Sequence, residues 1–85
     1  MRWGLVITRP AERQLRRMPA ADREHMNMAF EEMARDPFAG DVKYLRNREG
    51  KLRRRVGVWR ILYTLQDERK LIIIAGVKRR GSHTY

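Results

Sequence analysis

The chain has no cysteine, two histidines, and no apolar run that approaches the length of a membrane span. Small secreted domains usually depend on disulfides, so the lack of cysteine favours a reducing cytoplasm as the setting. A membrane helix needs roughly 20 consecutive apolar residues, and the amino terminus lacks the charged and apolar regions of an export signal. The sequence therefore predicts a cytoplasmic protein with no membrane partner.

Metal ligands and nucleophile motifs are also missing. His25 and His83 lie far apart, and Glu49 is the only acidic residue of the basic stretch around it, so no cluster has metal-ligand spacing. The chain carries neither a glycine-rich phosphate loop nor a serine nucleophile motif. We therefore expect no metal and no small-molecule cofactor. Any chemistry would have to come from cations, a histidine or a tyrosine.

Positive charge is what the chain has in excess. Its 85 residues predict one domain over 1–85, and the formal net charge is +10. Residues 1–40 carry 7 Lys and Arg against 6 Asp and Glu, while residues 41–85 carry 13 against 4. Solubility alone would explain a mildly basic protein, but this asymmetry favours a polyanion or an acidic protein as partner.

Periodicity predicts a strand over 2–8, helices over 10–18 and 19–35, and strands over 42–46, 51–56, 59–64 and 71–77. The order is typical of an α+β fold: an N-terminal strand, two helices, then an antiparallel sheet of three to four strands with the helices on one face. The methionine stripe of the second helix fits either a core or an adaptable partner surface, and we favour a core. The apolar run 71–77 predicts a central strand covered on both faces.

The strands around Gly57 should form a tight hairpin with Gly57-Val58 as its turn. That register places Val56 opposite Trp59 and Arg55 opposite Arg60. Since opposed residues share a face, one face of the hairpin would carry Lys51, Arg53, Arg55, Arg60, Leu62 and Thr64. The other face is apolar except for Arg54, which we therefore expect to serve packing or a partner.

The basic tail follows the last predicted strand directly. If that strand lies beside the hairpin, Arg79 or Arg80 would join the hairpin cations around a phosphate-sized site. A basic edge strand that resists aggregation is the alternative. The residues predicted to bind RNA or its phosphates, besides those with a chemical role, are Arg46, Arg48, Arg55, Lys78 and Arg80.

Cleavage of RNA by its own 2′-hydroxyl suits such a set of residues. The reaction needs a base, an acid, and fixed positive charge at the phosphate. Arg60 and Arg79 are candidates to stabilise the phosphate, and Lys51, His83 and Tyr85 to exchange protons. Tyr85 would alternatively stack on a base, or be idle as a terminal residue.

The run Arg53-x-Arg55-Val-Gly-x-Trp59-Arg60-Ile-Leu-Tyr63 precedes an apolar strand, Val77-Lys-Arg-Arg80 and a closing Tyr85. With the helix end Asp36-Pro37-Phe38 and Leu45, this combination resembles the RelE/ParE superfamily of bacterial toxins along essentially the whole chain. The resemblance implies a ribosome-dependent endonuclease that cuts A-site mRNA without a metal, and a cognate antitoxin as partner alongside the ribosome and mRNA.

Position by position, the resemblance implies functional roles for Lys51, Arg53, Arg55, Arg60, Arg79 and Tyr85. His83 lies where some relatives have a catalytic histidine, although Thr84 separates it from the tyrosine. Lys43 and Tyr44 stand where some relatives use a glutamate. The competing hypotheses are a ParE-like inhibitor of DNA gyrase, which would not need this set of residues, and an RNA-binding module without catalysis.

Overall fold

The computed structural model describes residues 2–45 and 50–79. Its elements, in chain order, are β1 (Gly4–Ile7), α1 (Arg9–Arg16), α2 (Ala20–Arg35), β2 (Asp41–Tyr44), β3 (Lys51–Val56), β4 (Trp59–Gln66) and β5 (Leu71–Arg79). The α+β class is confirmed. Each predicted element exists, and its ends differ from the prediction by no more than two residues.

Prolines set the limits of both helices. Pro10 stands in the first turn of α1, where its missing N–H costs nothing. Pro19 immediately precedes α2, and Asp36 ends that helix with an extended backbone, as expected of a residue before proline. The Asp36 carboxylate then accepts a 3.0 Å hydrogen bond from the Phe38 N–H, which shapes the turn into β2.

The sheet is larger than predicted. It has five strands in the order β1-β5-β4-β3-β2, and β1 pairs with β5 in parallel, with Gly4 opposite Leu71. The other three pairings are antiparallel. Local periodicity identifies β1 as a strand but carries no information on its neighbour, because the pairing joins segments that are distant along the chain.

The β3–β4 hairpin has the predicted register. Val56 lies opposite Trp59, Arg55 opposite Arg60, and Lys51 opposite Thr64. Gly57 has a φ of +58°, a conformation that glycine adopts without a steric cost. The predicted division of the hairpin into an apolar and a cationic face is therefore confirmed.

The helices pack on the apolar face of the sheet, α1 against β5 and α2 against β3 and β1. The core joins apolar side chains of the two helices and their connection to those of β3, β4 and β5: Ala11, Met18, Met26, Ala29, Phe30, Met33, Leu52, Ile61, Tyr63, Ile72, Ile74 and Val77. The methionine stripe is thus core, as predicted. No helix among the described residues is both long enough and apolar enough to cross a membrane.

The prediction that β5 is covered on both faces is wrong in part. Ile72 and Ile74 are fully buried under the helices, whereas Leu71 and Ile73 on the other face are only half-buried. The helices cover one face of the sheet alone, so a continuous apolar run here does not mean burial on both sides.

Arg54 is the single cation that points into the helix-covered side of the hairpin. Its side chain is 9% exposed, and it donates hydrogen bonds to the Ala29 carbonyl at 3.4 Å and to the Glu32 carboxylate. The guanidinium also lies against Gly40. The prediction that Arg54 serves packing is confirmed: it ties β3 to α2 and to the loop before β2.

We predict that Gly40→Ala destabilises the fold through Arg54. Gly40 has a φ of +83°, and a Cβ there would lie 2.8 Å from Arg54 Cζ. Gly50 has a φ of +73°, and a Cβ there would have no atom of the described residues within 4 Å, so Gly50→Ala carries similar backbone strain without the clash. Urea unfolding should show that Gly40→Ala loses about 1–3 kcal/mol more stability than Gly50→Ala. Equal losses would contradict the role of Arg54.

A second prediction concerns alkaline pH. Burial raises the pKa of Tyr63 from 10.0 to about 12, although the nearby Arg54 charge opposes the shift. The phenol of Tyr63 also donates a 2.6 Å hydrogen bond to the Pro37 carbonyl. Because the unfolded chain ionises this tyrosine more readily, stability should be complete below pH 10 and be lost as pH rises toward 12.

Tyr63→Phe tests this assignment. The variant should be less stable than the parent at neutral pH by about 1 kcal/mol, because it lacks the hydrogen bond. Its stability should nevertheless fall less steeply with alkaline pH. If the free energy of unfolding, measured in urea, fell equally with rising pH in both proteins, Tyr63 would not be the titrating group.

Candidate nucleic-acid interface

Among residues 2–45 and 50–79, no helix covers the second face of the sheet, and most of the polar side chains on that face are cations. Opposed residues share a face, so the strand register assigns the cations of four neighbouring strands to this side. We call it the cationic face, and its cations are Lys43, Lys51, Arg53, Arg55, Arg60 and Lys78. The sequence predicted all of them for binding or chemistry except Lys43, which joins through the pairing of β2 with β3.

One row of this face concentrates the charge. Arg55, Arg60 and Lys78 lie directly opposite one another on β3, β4 and β5. Neighbouring strands are about 4.8 Å apart, and like charges at that spacing repel. Among the residues that the structure describes, no carboxylate forms an ion pair with Arg60 or Lys78. The row therefore favours binding of an anion.

The position of Arg79 corrects a prediction. We expected Arg79 or Arg80 to join the hairpin cations, but Arg79 lies opposite Trp59, and Lys78 takes the place beside Arg60. A register irregularity between Leu62 and Tyr63 causes the change. There β5 contributes one residue more than β4, and a shift of one residue moves every following side chain to the other face.

Asp41 is the one acidic residue of the cationic face in the described part of the chain. The Arg53 guanidinium is 10% exposed and donates to the Asp41 carbonyl at 3.1 Å and to its carboxylate at 3.3 Å. Arg55 Nε lies 3.9 Å from the same carboxylate. Arg53 is therefore held by β2, and any phosphate would have to compete with Asp41 for it.

Among the described residues, two of the three arginines with an unpartnered buried Nε–H group lie in this row, and the third is Arg54 on the opposite face. Within residues 2–45 and 50–79, the Nε–H groups of Arg55 and Arg60 are buried and have no hydrogen-bond partner. Buried donors normally find an acceptor. An anion held between these two side chains would supply one, and the planar guanidinium suits paired phosphate oxygens.

The remaining predicted residues differ in what the structure says of them. Lys51 is exposed at the start of β3, opposite Thr64. Arg46, Arg48, Arg80, His83 and Tyr85 lie outside the described residues, so their grouping with the cationic face stays a prediction. In the ranges 2–45 and 50–79, no three acidic or histidine side chains are arranged to share a metal ion.

Sequence reasoning missed Asp41 and Lys43. Both stand on the edge strand β2, opposite Arg55 and Arg53 respectively. The signal was the alternation of Asp41, Val42 and Lys43, which places the two charged residues on one face. It becomes interpretable only when β2 is known to pair with β3.

The fold and the cationic face define a small α+β protein with helices on one side of its sheet and a row of cations on the other. Solved structures of other proteins share this fold. A chain of the RelBE2 toxin-antitoxin complex from Mycobacterium tuberculosis is 30% identical with a TM-score of 0.81, and the match covers 94% of this chain and 100% of that one.

The archaeal RelE-RelB complex from Pyrococcus horikoshii OT3 matches with a TM-score of 0.84 and 23% identity, over 96% of this chain and 99% of that one. The isolated Escherichia coli RelE toxin matches with a TM-score of 0.81 and 17% identity, over 96% and 88%. No protein-family model matches the sequence. No curated protein matches it either. The chain belongs to the RelE/ParE superfamily, the toxins of toxin-antitoxin systems.

We predict that sulfate, as a stand-in for phosphate, stabilises the protein through Arg60. In chloride, Arg60→Gln should raise the melting temperature by about 2–4 °C, because relieving like-charge contacts is worth about 0.5 kcal/mol. The variant should lose most of the extra stabilisation that sulfate gives the parent. Arg35→Gln, which changes an exposed cation on α2, should keep it. An equal sulfate response in all three proteins would exclude an anion site at Arg60.

Proposed function

We propose that this toxin is a ribosome-dependent mRNA endonuclease that acts in the cytoplasm and cuts mRNA in the ribosomal A site. The observation that carries the proposal is the row Arg55, Arg60 and Lys78, in which the described residues provide Arg60 and Lys78 with no carboxylate. Positive charge fixed before the substrate arrives stabilises a phosphate that gains negative charge during reaction.

The proposed step is a transesterification within the RNA. The 2′-oxygen forms a bond to the adjacent phosphorus while the bond to the 5′-oxygen breaks. The products are a 2′,3′-cyclic phosphate and a free 5′-hydroxyl. A base takes the proton of the 2′-hydroxyl, and an acid gives a proton to the leaving oxygen, so no outside reactant is needed.

Residue roles follow from position on the cationic face. Arg60 and Lys78, side by side on β4 and β5, are placed to hold the two non-bridging phosphate oxygens. Lys51 is exposed on the same face and is the proposed proton-transfer group among the described residues. Proton transfer by His83 or Tyr85 remains a prediction from the sequence.

A cognate antitoxin is the proposed protein partner. Chains of similar fold occur in toxin-antitoxin complexes from Mycobacterium tuberculosis, Pyrococcus horikoshii and Methanococcus jannaschii. We expect the antitoxin of this chain to bring carboxylates to the cationic face, where they would compete with RNA for Arg60 and Lys78. Neutralisation would then be direct competition for the same positive charge.

Alanine substitutions test the proposal. Arg60→Ala and Lys78→Ala should each reduce A-site mRNA cleavage by about 10²-fold, since each removes a preorganised charge at the phosphate. Cleavage is read by primer extension on translating ribosomes. Arg35→Ala is the matched control, because it also removes an exposed arginine and should cut normally. Full activity in the Arg60→Ala Lys78→Ala double variant would overturn the site.

The same preparation separates the proposal from its main alternative. Intact mRNA, together with trapped gyrase-DNA complexes in a supercoiling assay, would identify a ParE-like inhibitor instead. Binding of ribosomes without cleavage by the parent protein would indicate an RNA-binding module.

A further inference from the structure

A second set of cations lies on the outer face of α1. Arg9, Glu12, Arg13 and Arg16 occupy positions i, i+3, i+4 and i+7, so they share one face of the helix. They line an open cleft of about 620 Å³. We call Arg9, Arg13 and Arg16 the α1 arginine row. All three side chains are exposed.

The position of α1 turns this row away from the sheet. Ala11 on the inner face of the helix is fully buried, and the Gln14 amide oxygen accepts a 2.5 Å hydrogen bond from the Val77 N–H of β5. The helix therefore lies on the covered side of the sheet, and its outer face points away from the cationic face. Cations therefore lie on two opposite sides of a molecule that measures 33 × 29 × 23 Å.

Little of this charge is neutralised. Glu12 pairs with Arg16, but in the described part of the chain no carboxylate forms an ion pair with Arg9 or Arg13. The outer surface of α2 differs, because that helix has four acidic residues and two arginines. A need for solubility would be met by mixed charge on both helices, so it does not account for the row.

Arg9 works against the stability of its own helix, whereas Arg13 and Arg16 stand in the last turn, where the helix dipole favours cations. Arg9 and Arg13 are like charges four residues apart, which repel on a helix surface. Arg9 stands in the first turn, where the helix dipole disfavours a cation. Thr8 gives no side-chain cap, since its hydroxyl donates instead to the Ile74 carbonyl of β5 at 2.8 Å. These costs point to a partner that supplies negative charge.

We propose that the α1 arginine row is a second phosphate-binding surface, which holds the backbone of an RNA segment other than the strand on the cationic face. The inference rests on the proposed function in that both surfaces would engage RNA at once. The few nucleotides that the cationic face can hold would not reach α1 on the opposite side. The partner is therefore folded RNA that surrounds the protein, as in a ribosomal cleft.

The chemistry favours RNA over an acidic protein. Protein interfaces are usually built around an apolar centre. The large apolar side chains that the structure shows as exposed are Val6, Ile7, Met28, Phe38, Tyr44 and Val58, and none of them belongs to α1. Phosphate backbones are bound mostly by arginine and lysine, without such a centre.

The test measures binding of an RNA stem-loop by fluorescence anisotropy from about 50 to about 200 mM salt. The double variant Arg9→Gln Arg13→Gln removes two cations of the row. Arg2→Gln Arg35→Gln is the control, because it removes two exposed arginines that both contact Glu31. Melting temperatures establish that each variant is folded.

If the row binds phosphates, the slope of log affinity against log salt falls by about two in the row variant and stays unchanged in the control. At 50 mM salt the row variant should bind the stem-loop roughly tenfold more weakly than the parent. Equal slopes in all three proteins would overturn the proposal. Loss of binding to poly-glutamate with unchanged RNA binding would also overturn it and would assign the surface to an acidic protein.

Cleavage is measured separately on translating ribosomes. A parent protein that binds the stem-loop through the row but does not cut mRNA would overturn the proposed function and leave this surface standing. A row variant that cuts mRNA normally and keeps the parent's salt slope would overturn the second surface and leave the proposed function standing.

Discussion

The register of the β3–β4 hairpin is the constraint on which the rest of the molecule depends. The two-residue turn Gly57-Val58 leaves one pairing for the strands that follow it. Alternation then sends Leu52, Ile61 and Tyr63 to the helices, and Arg55 and Arg60 to the open face. A shift by one residue would exchange the two sets and bury unpaired charge, which folding cannot tolerate.

Arg54 is the exception that the fold accommodates. A buried guanidinium is tolerable only with partners, and the Ala29 carbonyl and the Glu32 carboxylate supply them. Gly40 leaves room for the group, since a Cβ there would collide with it. This one cation ties α2 to β3 on the helix-covered side of the sheet.

The cationic surfaces are arranged at the expense of stability. Arg55, Arg60 and Lys78 stand directly opposite one another, and Arg9 and Arg13 repel along α1. Asp41 relieves only part of the repulsion in the first group, through its carboxylate beside Arg55. The same carboxylate also pairs with Arg53. The RNA and the antitoxin proposed above as partners would both bring negative charge to these surfaces. Repulsion in the free protein would then become affinity in either complex.

Local patterns in the sequence determined the helices, the strands, the hairpin with its two faces, the burial of Arg54 and the resemblance to the RelE/ParE superfamily. These features depend on periodicity, proline and turn chemistry, which act over a few residues. Three others were decided by tertiary structure: the parallel pairing of β1 with β5, the entry of Asp41 and Lys43 into the site, and the exchange of Arg79 for Lys78 beside Arg60. Each depends on how distant strands are aligned, and a single extra residue in β5 reverses the faces that alternation alone would assign.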